Sequence, residues 1–218
     1  MFKDCQGVPY PVFAKGVVSE CSPIVGAVPF GSVYSLKVLL EAGSQEPAAG
    51  QFYMLHAVRS DVLLGRPISV FHSEVLSEEE GKRVELTFLI LLKGKGTKEL
   101  CSLDFGDLIN LIGPCGNRFP MPQSVVECAR SACIETTEEL NNGGFDTASG
   151  LLNHRKVLLI GGGIGVAPVA GFAETLTNVS YDFYASFKSG SYGLENVKAE
   201  KLIITTDDGS VGVHGMLP

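Results

Sequence analysis

The sequence has few basic residues and no closely spaced cysteine pair. Its 17 lysines and arginines are outnumbered by 24 acidic residues, which gives a net charge of −7. This balance argues against a nucleic-acid partner, because binding along a phosphate backbone needs a basic face. None of the six cysteines forms a CxxC pair, and Cys128 and Cys133 are loosely spaced for zinc or iron–sulphur ligation. We therefore expect reduced thiols.

The sequence also lacks an apolar leader and a clear membrane span. Its first ten residues have no signal-peptide core. The longest uncharged stretch, Val157–Ala173, contains five glycines and Pro168. Since those glycines are clustered, they favour a strand, a turn and a helix start over a membrane helix. With 45% hydrophobic residues, the chain has enough apolar side chains for a sizeable core. We predict a folded cytoplasmic protein with no membrane association.

Residues 1–119 have the pattern of an antiparallel β-domain. Runs rich in Val, Ile, Leu and Phe alternate with Gly, Pro, Ser and Asp, which is typical of strands and turns in a barrel or sandwich. One helix is predicted over Thr97–Leu103, with Thr97 as its N-cap. The predicted strands cover Val12–Val18, Val33–Leu40, Phe52–Val58, Ile68–Phe71, Val84–Leu92 and Leu108–Ile112.

Residues 156–218 have a different pattern, in which strands alternate with a helix. Strands are predicted over Val157–Ile160, Tyr181–Phe187 and Lys201–Thr205, and a helix over Val166–Leu176. This order predicts a parallel sheet, typical of a nucleotide-binding α/β domain. Three strands and one long helix leave a sheet face to be covered, so we expect the domain to continue beyond Pro218 or to be completed by a partner.

The intervening residues, 120–155, are predicted to be an insertion or linker. They contain an acidic run and a soft NNGGFDTASG stretch, a composition typical of flexible connections. A short helix is predicted around Ser124–Ala132.

Two motifs in the first domain are suited to binding anions. Arg66-Pro67-Ile68-Ser69 begins a predicted strand, and a guanidinium binds diphosphate oxygens with a planar fork. An arginine paired with an acid at a strand edge would give the same pattern. In the second motif, Gly94–Leu100, glycines precede a helix start whose free N–H groups favour an anion. A simple turn and cap remains the alternative there.

The third motif begins with a predicted turn over Gly161–Gly165, which we call the glycine turn, between the first strand and the helix of the second domain. Glycine lets a backbone approach a pyrophosphate closely, and a proline suits the first turn of a helix. The spacing departs from GxGxxG, because Val166 stands where the third glycine would be. The candidate binding residues are Gly161, Gly162, Gly163, Ile164, Gly165 and Pro168.

The order of these motifs resembles the ferredoxin–NADP reductase superfamily over nearly the whole chain. GQF, RPIS, GKGTKEL, GDLINLIGPCGNRF and VLLIGGGIGVAP follow one another as they do in that family. The resemblance implies an antiparallel FAD-binding barrel followed by an NAD(P)-binding α/β domain. It implies that Arg66 binds the FAD pyrophosphate, that Ser69 lies near the isoalloxazine, and that Gly96 and Thr97 hold the flavin phosphate region. Gly161 to Pro168 would hold the nicotinamide dinucleotide.

Two segments resemble, more narrowly, the electron-transfer subunits of class B dihydroorotate dehydrogenases. These are RPIS and the TDDGSVG stretch at 206–212. The resemblance implies an FAD-dependent NAD(P)H oxidoreductase subunit of pyrimidine biosynthesis, partnered by a catalytic FMN-containing subunit. A ferredoxin or hydrogenase reductase subunit, and a flavin-binding module without turnover, remain alternatives.

The resemblance also bears on the iron–sulphur cluster and on the choice of nicotinamide. A [2Fe-2S] cluster is expected of the family, but the CGP segment and the cluster cysteines are absent from the sequence, so we assign no metal ligand. For the nicotinamide, Asp182 lies about 20 residues after the glycine turn, near the usual ribose-binding position. Lys188 is the alternative, because it is suited to a 2′-phosphate and hence to NADP.

Overall fold

A computed structural model describes residues 11–58, 60–78, 81–122, 157–177 and 179–217. The predicted helix around Ser124–Ala132 lies outside the described residues, as does most of the predicted linker. The predicted domain boundaries at 119 and 155 therefore stay predictions.

The first part of the chain is a closed six-stranded barrel. Its neighbouring strands run in the order β1-β2-β5-β4-β3-β6, and every pair is antiparallel. The predicted antiparallel barrel is confirmed, and closure leaves no free sheet edge. The strands are β1 (Val12–Pro23), β2 (Val33–Leu40), β3 (Phe52–Ala57), β4 (Arg66–Glu78), β5 (Gly81–Leu91) and β6 (Leu108–Cys115).

The barrel core follows from the alternation of apolar residues along these strands. In β2, for example, Leu36, Val38 and Leu40 are buried while the residues between them are partly exposed, as a period of two requires. Tyr53 and Phe88 meet edge to face inside the barrel, with ring centroids 6.2 Å apart. Each such buried side chain contributes about 1.5–3 kcal/mol.

Helix α1 (Lys95–Cys101) follows β5, and it begins two residues earlier than predicted. The prediction that Thr97 is the N-cap was wrong, because the N-cap is Gly94. The Thr97 hydroxyl instead points back, accepting from the N–H groups of Lys93 and Gly94 at 3.0 Å and lying 3.0 Å from the Gly94 carbonyl. Thr97 is therefore the third helical residue (N3) of a capping box, in which its side chain accepts from the backbone N–H of the N-cap residue.

The second part is a four-stranded sheet in the order β10-β9-β8-β7, with all pairs parallel. It comprises β7 (Val157–Gly162), β8 (Tyr181–Phe187), β9 (Lys201–Thr206) and β10 (Val213–His214). The predicted parallel sheet is confirmed, but the expectation of three strands was wrong. Two residues are too few to show a period in sequence, so β10 left no signal.

Helix α2 (Val166–Thr175) packs the sheet against the barrel. Gly171 of α2 lies on the backbone of β4, where a Cβ atom would stand 1.7 Å from the Phe71 carbonyl oxygen. Beside this contact, the Nδ1 atom of His72 lies 3.1 Å from a carboxylate oxygen of Glu174. The two parts of the molecule therefore meet directly along β4 and α2. No helix in the described part of the chain is long and apolar enough to cross a membrane.

Candidate cofactor-binding site

Arg66, at the start of β4, lies against the first turn of α1. A Cβ atom on the buried Gly96 would stand 2.3 Å from the Arg66 Nε and 3.1 Å from its Cζ. Only glycine at position 96 therefore lets the guanidinium occupy this place. The Nε atom is buried and has no hydrogen-bond partner among the described residues. A buried donor without a partner is costly, and a diphosphate oxygen is the kind of acceptor that would satisfy it.

The alternative was that Arg66 forms a structural ion pair with an acid. Among the described residues, no such ion pair is observed. Glu99 of α1 is instead hydrogen-bonded to the Ser60 hydroxyl. Lys95 pairs with Asp61 at 3.7 Å. These contacts tie the loop before β4 to α1, and the Arg66 Nε has no partner in the part of the chain that the structure describes.

The other residues of the RPIS motif follow Arg66 along β4, and their side chains lie on both faces of the strand. Ile68 packs against the barrel core, whereas Pro67 is exposed and Ser69 is half-buried opposite Phe52. Because alternate residues of a strand face opposite sides, Arg66 and Ser69 do not converge on one point. They are three residues, or roughly 10 Å, apart along the strand. A ligand that contacts both must be extended, as FAD is.

Two glycines of the third motif are explained by the fold itself. Gly161 is buried, and a Cβ atom there would stand 2.8 Å from the Cα of Val166. Val166, at the position of the missing third glycine, is itself fully buried against this contact. Gly163 has a φ of +53°, which side-chain-bearing residues rarely adopt. The predicted turn over Gly161–Gly165 is corrected in part, because its first two residues still belong to β7.

Gly162 and Gly165 have no such structural reason to be glycine. A Cβ atom on either would meet no heavy atom within 4 Å, and Gly165 has an ordinary φ of −67°. The space above them is open to a ligand that needs close backbone approach. Ile164 between them packs against the apolar core formed by the parallel sheet and α2, and Pro168 lies in the first turn of α2 as predicted.

The direction of the parallel strands argues against one of the two candidates near the ribose. In open parallel sheets ligands bind outside the carboxyl ends of the strands, and β8 ends at Phe187. Asp182 is the second residue of β8 and so lies roughly 16 Å from that edge. The interpretation of Asp182 as the ribose-binding acid was therefore wrong. Lys188, the first residue after β8, is exposed at the correct edge.

The described thiols are not poised to act as ligands or nucleophiles. Burial raises the pKa of Cys21 to about 11 and that of Cys101 to about 12, and it also raises the pKa of Cys115. Within the described ranges, no three His, Cys, Asp or Glu side chains are grouped to hold a metal ion. Cys5, Cys128 and Cys133 lie outside those ranges.

The side-chain contacts at the carboxyl edge of the sheet were not predicted from the sequence. Ser189, after β8, is hydrogen-bonded to Asp208, after β9. The signal was present in the Asp-Gly-Ser turn, which is a common hydrogen-bonded turn composition. Its partner 19 residues away could not be identified from that composition alone.

Comparison with solved structures identifies the architecture. The chain superposes on a ferredoxin reductase in carbazole 1,9a-dioxygenase with a TM-score of 0.62, at 16% identity, over 96% of this chain and 56% of that one. It also superposes on an NADH-dependent reduced ferredoxin–NADP oxidoreductase with a TM-score of 0.55, at 20% identity, over 92% of this chain and 59% of that one. The chain has the ferredoxin-reductase fold. The fold implied by the motif order is thereby confirmed.

Sequence comparison gives relatives that are electron transfer subunits. The chain is 34% identical over 185 residues to the electron transfer subunit of dihydroorotate dehydrogenase B (NAD(+)) from Clostridium acetobutylicum, covering 84% of this chain and 59% of that protein. It is 29% identical over 211 residues to the protein of the same name from Clostridium perfringens, covering 94% of this chain and 67% of that protein. No protein-family model matches the chain. The predicted resemblance to these subunits is confirmed, over about six-tenths of their length.

Proposed function

We propose that this chain is the flavin- and nucleotide-binding part of a cytoplasmic electron-transfer subunit. It passes electrons through FAD between NAD(P) and a catalytic FMN-containing dihydroorotate dehydrogenase subunit, in pyrimidine biosynthesis. The observation that carries the proposal is the buried Arg66 Nε, which has no partner among the described residues. The names of the relatives support the choice of electron partner.

The residues at the barrel end fit a flavin dinucleotide. Arg66 would bind the diphosphate, together with the free backbone N–H groups in the first turn of α1 around Gly96 and Thr97. Pro67, Ile68 and Ser69 would line the path of the ligand along β4. FAD, when bound, would accept a hydride from reduced nicotinamide and release electrons to a partner.

The residues at the sheet edge fit the second dinucleotide. The open faces of Gly162 and Gly165 would admit its pyrophosphate, and Gly161, Gly163, Ile164 and Pro168 would shape the turn. The contact of Gly171 with Phe71 keeps this turn at a fixed place relative to β4. These residues would bind and orient the dinucleotide. We assign no catalytic acid or base and no iron–sulphur ligand.

The test measures the visible absorbance of the flavin in the FAD-loaded chain under anaerobic conditions. NADH is added first, and an electron-accepting partner protein is added second. We expect the visible flavin band to bleach, because the two sites are held together by the packing of α2 on β4. The catalytic dihydroorotate dehydrogenase subunit, supplied in its oxidised form, should then restore the band. A band that survives excess NADH would contradict the proposal and indicate a flavin-binding module without turnover.

One alternative has an observation in its favour. The fold likeness to an NADH-dependent reduced ferredoxin–NADP oxidoreductase is equally suited to a ferredoxin or hydrogenase-type reductase subunit. The two proposals differ in the second half of the same experiment. Return of the band with oxidised ferredoxin, and not with the dihydroorotate dehydrogenase subunit, would favour this alternative.

A further inference from the structure

Three turns lie side by side along the carboxyl edge of the parallel sheet. They follow β7, β8 and β9, and they contain the glycine turn, Lys188–Gly190 and Asp207–Gly209 respectively. The strand order puts β8 between β7 and β9. The Lys188–Gly190 turn is therefore the immediate neighbour of the glycine turn, where the dinucleotide is proposed to bind.

Side-chain hydrogen bonds join the second turn to the third. The Ser189 hydroxyl donates to one carboxylate oxygen of Asp208, and the Ser210 N–H donates to the other at 3.0 Å. The Gly190 N–H donates to the Ser210 hydroxyl at 2.9 Å. We call these four residues, Ser189, Gly190, Asp208 and Ser210, the edge clasp.

The same turn is attached to the barrel on its other side. Gly190 forms a β-bridge with Ala27, and the Ser191 N–H donates to the Gly26 carbonyl at 3.2 Å. A Cβ atom on Gly190 would stand 2.2 Å from that carbonyl oxygen, and its φ is +66°. The Lys188–Gly190 turn is thus held on one side by the barrel and on the other by Asp208 and Ser210.

Asp208 is exposed, so burial does not explain its ordered contacts. Hydrogen bonds from Ser189, and then from Ser210, lower the pKa of Asp208 to about 2. The carboxylate is therefore charged at neutral pH and remains an acceptor for both serines. Its neighbour Asp207 is also exposed, and its contact is through the backbone, from its N–H to the Phe187 carbonyl at 3.1 Å.

We propose that Asp208 is a positioning residue for the nicotinamide dinucleotide, acting through Ser189 and Ser210 to hold the Lys188–Gly190 turn beside the glycine turn. This inference rests on the proposed function of the glycine turn. A turn that is already ordered loses less conformational freedom when a ligand binds, which strengthens binding without a new contact. Asp208 itself need not touch the ligand.

The experiment compares Asp208→Ala with two related variants in the FAD-loaded chain. Asp207→Ala is the matched control, because it removes the same charge one residue away and keeps the backbone contact. Asp208→Asn retains one acceptor oxygen and should restore binding in part. We expect Asp208→Ala to weaken NADH binding about tenfold, a free-energy change of about 1.4 kcal/mol, with unchanged FAD content and an unchanged limiting rate of flavin reduction. Hydrogen exchange at the Gly190 amide should become faster in Asp208→Ala and stay unchanged in Asp207→Ala.

Equal NADH affinity in the wild type and Asp208→Ala would overturn the inference, as would equal losses in Asp208→Ala and Asp207→Ala. If Asp208→Ala loses FAD or unfolds at a lower temperature, the inference is tested with Ser189→Ala instead. This variant removes one hydrogen bond of the edge clasp and no charge. Weaker NADH binding in folded Ser189→Ala would support the inference, and unchanged binding would refute it. Failure of the proposed function is recognised separately, since the wild-type chain would then not bind NADH at all.

Discussion

Arg66→Ala is expected to lower the affinity of the chain for FAD by roughly one to two decades. The guanidinium lies on Gly96 with its buried Nε free of any partner among the described residues. A hydrogen bond to a charged group contributes roughly 1.5–3 kcal/mol, and about 1.4 kcal/mol corresponds to a tenfold change. Equilibrium titration of the FAD-free chain with FAD gives the affinity directly.

Arg66→Lys separates the geometry of the guanidinium from its charge. Lysine keeps the positive charge but lacks the planar fork that matches diphosphate oxygens. We therefore expect an affinity between those of the wild type and Arg66→Ala. Unchanged FAD affinity in Arg66→Ala would remove this residue from the flavin site.

The second large effect is expected for Gly171→Val, which should separate α2 from β4. A Cβ atom at this position would stand 1.7 Å from the Phe71 carbonyl oxygen, which is backbone and cannot rotate away. Inserting extra carbon atoms into a packed core costs about 1–3 kcal/mol and sometimes more. Because backbone must move here, we expect a loss of at least about 3 kcal/mol in the free energy of unfolding.

Gly162→Val is the matched control for that substitution. Gly162 has extended backbone angles, and a Cβ atom on it would have no heavy atom within 4 Å. Valine is well suited to such a strand end, so this variant should unfold at the wild-type denaturant midpoint. A wild-type midpoint for Gly171→Val would show that the observed packing of α2 on β4 is not a stabilising contact.

The strands were predictable where burial alternates regularly along them. The bounds of β2 and β8 coincide with the predicted Val33–Leu40 and Tyr181–Phe187. By contrast, β4 extends from Arg66 to Glu78, well past the predicted Ile68–Phe71. Its continuation contains polar residues such as His72, Ser73 and Glu74 in a hairpin with β5, and these weaken the apolar pattern on which the prediction depended.

The candidate site was predictable as a set of motifs, but its geometry was not. The order of RPIS and the glycine-rich motifs indicated the fold. The prediction of Asp182 at the ribose failed because it relied on residue spacing alone and took no account of the place of Asp182 near the start of the predicted strand Tyr181–Phe187. The prediction of Thr97 as an N-cap failed for a similar reason. A threonine near a helix start can accept from N–H groups that follow it, as an N-cap does, or from N–H groups that precede it, as Thr97 does, and the sequence is the same in both cases. The contacts of Gly171 with Phe71 and of Ser189 with Asp208 join distant parts of the chain, so no local pattern contains them.

The role of the glycine turn is tested most directly by flavin reduction with NADH in Gly165→Val beside the wild type. Gly165 has an ordinary backbone conformation and open space around its missing side chain, so valine should disturb the ligand and not the fold. We predict that the variant retains FAD and its unfolding midpoint. Its flavin should be reduced by NADH at least about tenfold more slowly at subsaturating NADH, equivalent to about 1.4 kcal/mol. Wild-type reduction kinetics in Gly165→Val would contradict the assignment of the glycine turn as the nicotinamide dinucleotide site.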